Sequence, residues 1–107
     1  MPRRRQFTII FAPETLAHLD VFEPKEHRLI REAVDEQLSF LPEQVTRNRK
    51  PLEQPAPFAA VWELRFGPDN RFRVFYEVDV NTRVVHILAI GIKERNKLLI
   101  GGEEFEP

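Results

Sequence analysis

Three consecutive strand-like segments between residues 60 and 92, two of them alternating apolar with polar side chains, are parted by turn chemistry, which commits the second half of the chain to an antiparallel meander. In "AVWELRF" (60–66), Trp62, Leu64 and Phe66 share one parity, and Val61, Glu63 and Arg65 take the other. "GPDN" (67–70) turns the chain. In "FRVFYEVDV" (72–80), Phe72, Val74, Tyr76 and Val78 alternate with Arg73, Phe75, Glu77 and Asp79. "NTR" (81–83) is a second turn, and "VVHILAIGI" (84–92) is apolar on both faces, as a central strand is.

The first half supplies the layer that covers such a sheet. "QFTIIFA" (6–12) reads as a strand with Phe7, Ile9 and Phe11 on one side, closed by Pro13. In "ETLAHLDVF" (14–22) the apolar period lengthens to three, through Leu16, Leu19 and Phe22, which suits a short amphipathic helix. Pro24 fits the first turn of a second helix over 25–41, whose stripe is Ile30, Val34, Leu38 and Leu41 and which stops before Pro42. Residues 42–60 hold four prolines and are expected to lack regular structure, yet they carry "RNRK" (47–50), a dense basic cluster. A short strand or turn is expected around Leu98–Ile100, broken by Gly101 and Gly102.

The expected fold is α+β, in the order β-α-α-β-β-β, as a single domain over 1–107 with the 42–60 loop inside it. Two N-terminal helices pack on one face of a small, mainly antiparallel sheet, the face presenting Trp62, Leu64, Val74 and Tyr76. The opposite face carries Glu63, Arg65, Arg73 and Glu77 and is expected to be partly open to solvent, because unpaired charge is costly to bury.

Composition narrows the function. Sixteen Lys and Arg against seventeen Asp and Glu give a formal net charge of -1, so only the distribution of charge could favour a polyanion. The absence of cysteine excludes disulfides and thiolate metal sites. No apolar run approaches the ~20 residues that span a bilayer. The start "MPRRRQFTII" is basic, but its apolar run is too short for a signal peptide, so a cytoplasmic chain with no membrane partner is expected.

Across a hairpin turned at 67–70, Arg65 and Arg73 become neighbours, and Arg95, after the central strand, could close the group from its end. Converging guanidiniums suit a phosphate backbone. The ordinary alternative is that both arginines pair with Glu63 and Glu77. "RNRK" is ordinarily a solvated loop, and otherwise a contact to nucleic acid or to an acidic partner. Arg71 sits at the turn edge, where it meets solvent or phosphate. His86 is expected to be a satisfied, half-buried histidine. His18 and His27 each follow a glutamate by four residues (Glu14 and Glu23), but without further ligands no metal site is expected. No phosphate-cradling glycine loop or nucleophile signature is present, and no cofactor is expected.

The segments "RNRKPLEQPAPFAAVWELRFG", "FRVFYEVD" and "VVHILAIGIKERNKLLIGGEEF" resemble the RelE/ParE superfamily of toxins from bacterial type II toxin–antitoxin systems. The cues are densest from Arg47 to Gly102, and the element order matches over nearly the whole chain. The resemblance implies a small α+β toxin held inactive by a cognate antitoxin. On the RelE-like branch it implies a ribosome-dependent mRNA endoribonuclease, in which a ribose 2′-hydroxyl attacks the adjacent phosphate. That reaction calls for a base, cations for the phosphorane charge and an acid for the leaving oxygen. Arg73 matches the family's third-strand arginine, Arg95 the arginine after the fourth strand, and Arg65 a basic position ending the second. Glu63 is placed to serve as the base, as glutamate does in some relatives. Arg47, Arg49, Lys50, Arg71, Lys93 and Lys97 are the expected RNA contacts.

Two departures qualify the likeness. Val61 and Glu63 stand where RelE-like enzymes place lysines, and no Tyr or His follows Arg95, so the proton-transfer set is incomplete. The alternatives are a ParE-like inhibitor of DNA gyrase that cleaves no RNA, or a toxin-like binding module whose catalysis has decayed.

Overall fold

The computed structural model describes residues 6–106; the basic start Met1–Arg5 and Pro107 lie outside the described residues. The strands are β1 (Thr8–Phe11), β2 (Arg49–Pro51), β3 (Trp62–Phe66), β4 (Phe72–Asp79), β5 (Val84–Glu94), β6 (Lys97–Ile100) and β7 (Glu103–Glu104). The helices are α1 (Thr15–Leu19) and α2 (Pro24–Leu38). One mixed sheet runs β2-β3-β4-β5-β6-β7, and β1 lies parallel to the N-terminal half of β5. The α+β expectation therefore holds, with both helices ahead of the meander.

Helix α2 starts where its chemistry directs. Pro24 occupies the first turn, and Glu23 and Glu26 form a reciprocal capping box, with Glu26 Oε1 accepting from the Glu23 amide at 2.8 Å. Its stripe of Ile30, Val34 and Leu38 is buried against Trp62, Leu64, Val74 and Tyr76 of the sheet. Trp62 and Tyr76 are cross-strand partners and stack at 6.2 Å between ring centroids.

The helix ends at Leu38, three residues before the expected Leu41, because the carbonyls that follow find other donors. The Phe7 amide donates to Ser39 O at 2.6 Å, and the Tyr76 hydroxyl donates to Pro42 O at 2.7 Å. Arg49 Nη1 donates to Leu41 O at 2.7 Å and also to Gln37 O. Arg49, expected as an RNA contact, is thus a buried side chain that caps the end of α2.

The segment 42–60 departs from expectation. It is not structureless: residues 49–51 form β2, paired with β3 in the register Lys50↔Glu63. Pro51 ends this edge strand, where a missing N–H costs the ladder nothing. Residues 52–60 then fold back over the sheet face that was expected to be open. Ala60, Phe75, Ala89 and Ile100 make a second, smaller core there, with Leu52, Leu88, Leu98 and Phe105 packed against it. Glu63, on the same face, is only 5% exposed.

Strand β5 serves both cores through a bulge. Phe75 pairs with Ala89 while Tyr76 pairs with Ile87, leaving Leu88 as the extra residue. The parity switch lets Val85, Ile87 and Ile90 all reach the main core. It coincides with a gap at the far edge of β5, where β1 pairs only with 84–87 and β6 only with 91–94. His18 of α1 fills the gap: its Nδ1 accepts the Ile90 N–H at 3.2 Å. Gly91 marks the start of β6 pairing, and a Cβ there would lie 2.7 Å from Leu99 O.

Burial lowers the His18 pKa from its ordinary 6.5, against an opposing pull from Glu14. The unfolded chain therefore takes up this proton at a higher pH than the folded one. The stabilisation is complete above about 6.5 and is lost as pH falls through the depressed folded value. The thermal midpoint is expected to drop as pH is lowered through this window. His18→Asn, which keeps an acceptor that does not titrate, removes that part of the dependence. Arg49→Ala removes a buried guanidinium and its bonds to the Gln37 and Leu41 carbonyls, and is expected to cost about 1–3 kcal/mol in denaturant unfolding.

Candidate functional site

The register places Arg65 of β3 directly opposite Arg73 of β4, and Lys50 of β2 directly opposite Glu63 of β3. All four side chains therefore stand on the sheet face away from the helices. Like charges directly opposite repel, and Glu63 offsets that repulsion. Its Oε1 accepts from Arg65 Nε at 2.8 Å and lies 3.9 Å from Lys50 Nζ; its Oε2 accepts from Arg73 Nη1 at 3.4 Å. Among the described residues no other carboxylate lies within 4 Å of these three cations. One negative charge thus faces three positive ones.

The backbone around the cluster holds the arginines in place. Arg73 Nε donates to Asn70 O at 3.0 Å, in the tight turn after Gly67. Asn48 Nδ2 donates to Arg65 O at 2.9 Å, and the Arg65 amide returns a bond to Asn48 O at 2.8 Å. Exposure grades outward, with side-chain values of 12% for Arg73, 35% for Arg65 and 50% for Lys50. Both terminal nitrogens of Arg65 and Nη2 of Arg73 donate to none of the described residues. The cluster is a cationic surface on which three guanidinium nitrogens have no partner among the described residues, a donor set suited to an oxyanion.

The other expected residues are scattered around this centre. Arg95 does not join it: Gly91 is the partner of Arg73, so Arg95 lies four residues on, roughly 13 Å along the strand, at the exposed β5–β6 hairpin tip. Arg71 turns the other way, donating to Lys93 O at 3.3 Å and pairing with Glu94 at 3.2 Å. Arg47 and Lys97 are exposed, and Lys93 is half-buried. The predicted pairing of an arginine with Glu77 is not among the ion pairs of the described residues, and Glu77 is exposed.

Sequence reasoning missed the role of Asn48 and the place of Lys50. Their signal, a polar run between prolines, looks like loop until β2 is recognised. Among the described residues no group of three or more metal-ligating side chains forms. No described helix is long and apolar enough to cross a membrane.

A helical pair on one face of an antiparallel sheet, ahead of a meander whose other face bears a cationic cluster, defines a RelE-like α+β toxin fold. A chain in the crystal structure of the toxin–antitoxin complex RelBE2 from Mycobacterium tuberculosis has that fold, with a TM-score of 0.62. The match covers 79% of this chain and 95% of that one, at 23% sequence identity. Residues 9–97 match the family described as the ParE toxin of the type II toxin–antitoxin system parDE, and the chain belongs to that family. No curated protein sequence matches it.

Tyr76 is the only tyrosine, and it belongs to the scaffold. Burial pushes its phenol well above its ordinary value of 10.0, with Arg49 pulling weakly the other way. Ultraviolet titration is expected to show no phenolate at pH values where an accessible tyrosine ionises. Ordinary ionisation near 10 would mean that the phenol is accessible.

Proposed function

We propose that the chain is the toxin of a two-protein pair, held inactive by a cognate antitoxin, and that it engages messenger RNA on the ribosome through the Lys50–Arg65–Arg73 face. The observation carrying this reading is the ratio of charges. Had the arginines merely paired with surface carboxylates, the face would be neutral; one carboxylate for three cations leaves two positive charges and guanidinium nitrogens without a partner among the described residues. A phosphodiester supplies the complementary charge and accepts guanidinium bonds in a fork geometry. The cognate antitoxin, on this reading, covers the same face with acidic side chains.

Cleavage would proceed by attack of a ribose 2′-oxygen on the adjacent phosphorus, with loss of the hydroxyl proton. The bond from phosphorus to the 5′-oxygen breaks, and that oxygen leaves with a proton. On this reading Arg65 and Arg73 bind the phosphorane charge, an effect of about 10²–10³ per donor. Proton transfer, commonly worth about 10²–10⁴, has no dedicated pair here. Both Glu63 oxygens face cations, Arg95 stands apart, and Tyr76 is buried. The reading is therefore of a slow nuclease, with proton transfer left to water or to ribosomal groups.

A second reading, inhibition of DNA gyrase without RNA cleavage, is favoured by the ParE family match together with that incomplete set. Induction of the chain alone, with transcript-end mapping and gyrase assays in parallel, separates the two. New transcript ends during growth arrest support the first; trapped DNA cleavage complexes without new ends support the second. Arg65→Ala and Arg73→Ala are each expected to relieve the arrest by at least about tenfold, with folding checked by thermal melting, while Arg95→Ala keeps most of it. Full toxicity of both folded variants would remove the face from the mechanism.

A further inference from the structure

Glu63 was expected to serve as a base, but its surroundings suit another role. A base needs a lone pair turned toward the reacting hydroxyl. Here each oxygen points at cations: Oε1 at Arg65 and Lys50, Oε2 at Arg73. The Glu63 side chain is 7% exposed, and its cross-strand partner is the buried Phe75. Arg73 is also anchored to Asn70 O, and Asn48 ties down the Arg65 backbone, so neither arginine depends on Glu63 alone for its place.

We propose that Glu63 is a built-in counter-ion: its carboxylate competes with RNA phosphate for the guanidiniums of Arg65 and Arg73, and so sets the affinity of the face for RNA. A carboxylate and a phosphate present equivalent oxygen acceptors to a guanidinium. With Glu63 ionised the cluster carries two net positive charges; without that charge it carries three. Glu63 is thus a positioning and affinity-setting residue. This inference rests on the reading of the face as an RNA site.

The role has a distinctive sign. If Glu63 only supported the fold, replacing it would weaken RNA binding. As a counter-ion, its neutralisation tightens binding. Glu63→Gln keeps the shape and removes the charge. In equilibrium binding to a short single-stranded RNA of mixed sequence at low salt, it is expected to bind about fivefold to tenfold more tightly than the wild type. That is the scale of one unit charge acting over ~7 Å through a partly solvated site. The gain shrinks as salt rises.

A Glu63→Gln protein that melts like the wild type yet binds RNA equally or more weakly overturns the proposal. Should that variant fail to fold, the wild-type protein supplies the test through NMR of the arginine Nε–H groups. The Arg65 Nε–H signal is expected to shift as RNA is added and displaces its bond to Glu63; a signal that stays fixed while RNA binds overturns the proposal. Arg65→Gln and Arg73→Gln serve as controls. If both bind RNA like the wild type, the RNA reading of the face falls and the counter-ion role falls with it. If both bind weakly but Glu63→Gln shows no gain, only the counter-ion role falls.

Discussion

A carboxylate buried among three cations sets the character of one whole face of this protein. Arg65 and Arg73 face each other across two strands, an arrangement that repulsion would disfavour on its own. Glu63 offsets that repulsion from two residues away on the same face of the strand, and its low exposure strengthens the attraction by excluding water. Buried ion pairs contribute little net stability against an apolar core, but breaking one by removing a partner commonly costs about 3–5 kcal/mol. The cluster is therefore better explained as an arrangement kept for what it presents than as a source of stability.

The rest of the fold delivers that carboxylate and its partners. The second core holds Phe75, the cross-strand partner of Glu63, among Ala60, Ala89 and Ile100, so the carboxylate stands beside apolar packing. Lys50 reaches the cluster only because β2 is pinned beside β3. That pinning depends on the neighbouring Arg49, which turns inward to the unwound end of α2. Four adjacent residues thus take four roles: Arg47 is exposed, Asn48 stitches to Arg65, Arg49 caps a helix and Lys50 joins the cluster. Composition sees only one basic patch in them.

The alternation of β3 and β4, the stripe of α2 and the Pro24 start were legible because local periodicity and capping decide them. Three features were not. The strand β2 is three residues long and contains a proline, so nothing periodic announces it. The parallel pairing of β1 with β5 is a long-range choice that its own sequence does not encode. The bulge at Leu88 puts Ile87 and Ile90 on the same core although their spacing is odd, which alternation cannot anticipate. Arg65, Arg73 and Glu63 were found together because parity and a short hairpin suffice to join them. Arg95 was misplaced because β5 runs on to Glu94, carrying the arginine to the hairpin tip.

Membership in the ParE toxin family and the RelE-like fold agree on the class of molecule, and the cationic face adds a chemical preference for oxyanions. The proposed engagement of RNA is tested most directly by salt dependence, because each cation that contacts a phosphate releases counterions. In a plot of log affinity against log salt for single-stranded RNA, replacing Lys50, Arg65 or Arg73 singly by glutamine should reduce the slope by about 0.7 each. The same change at Arg95, which stands outside the cluster, should leave the slope nearly unchanged. Slopes untouched by the three cluster substitutions, or reduced only by the one at Arg95, would contradict the proposal that this face binds RNA.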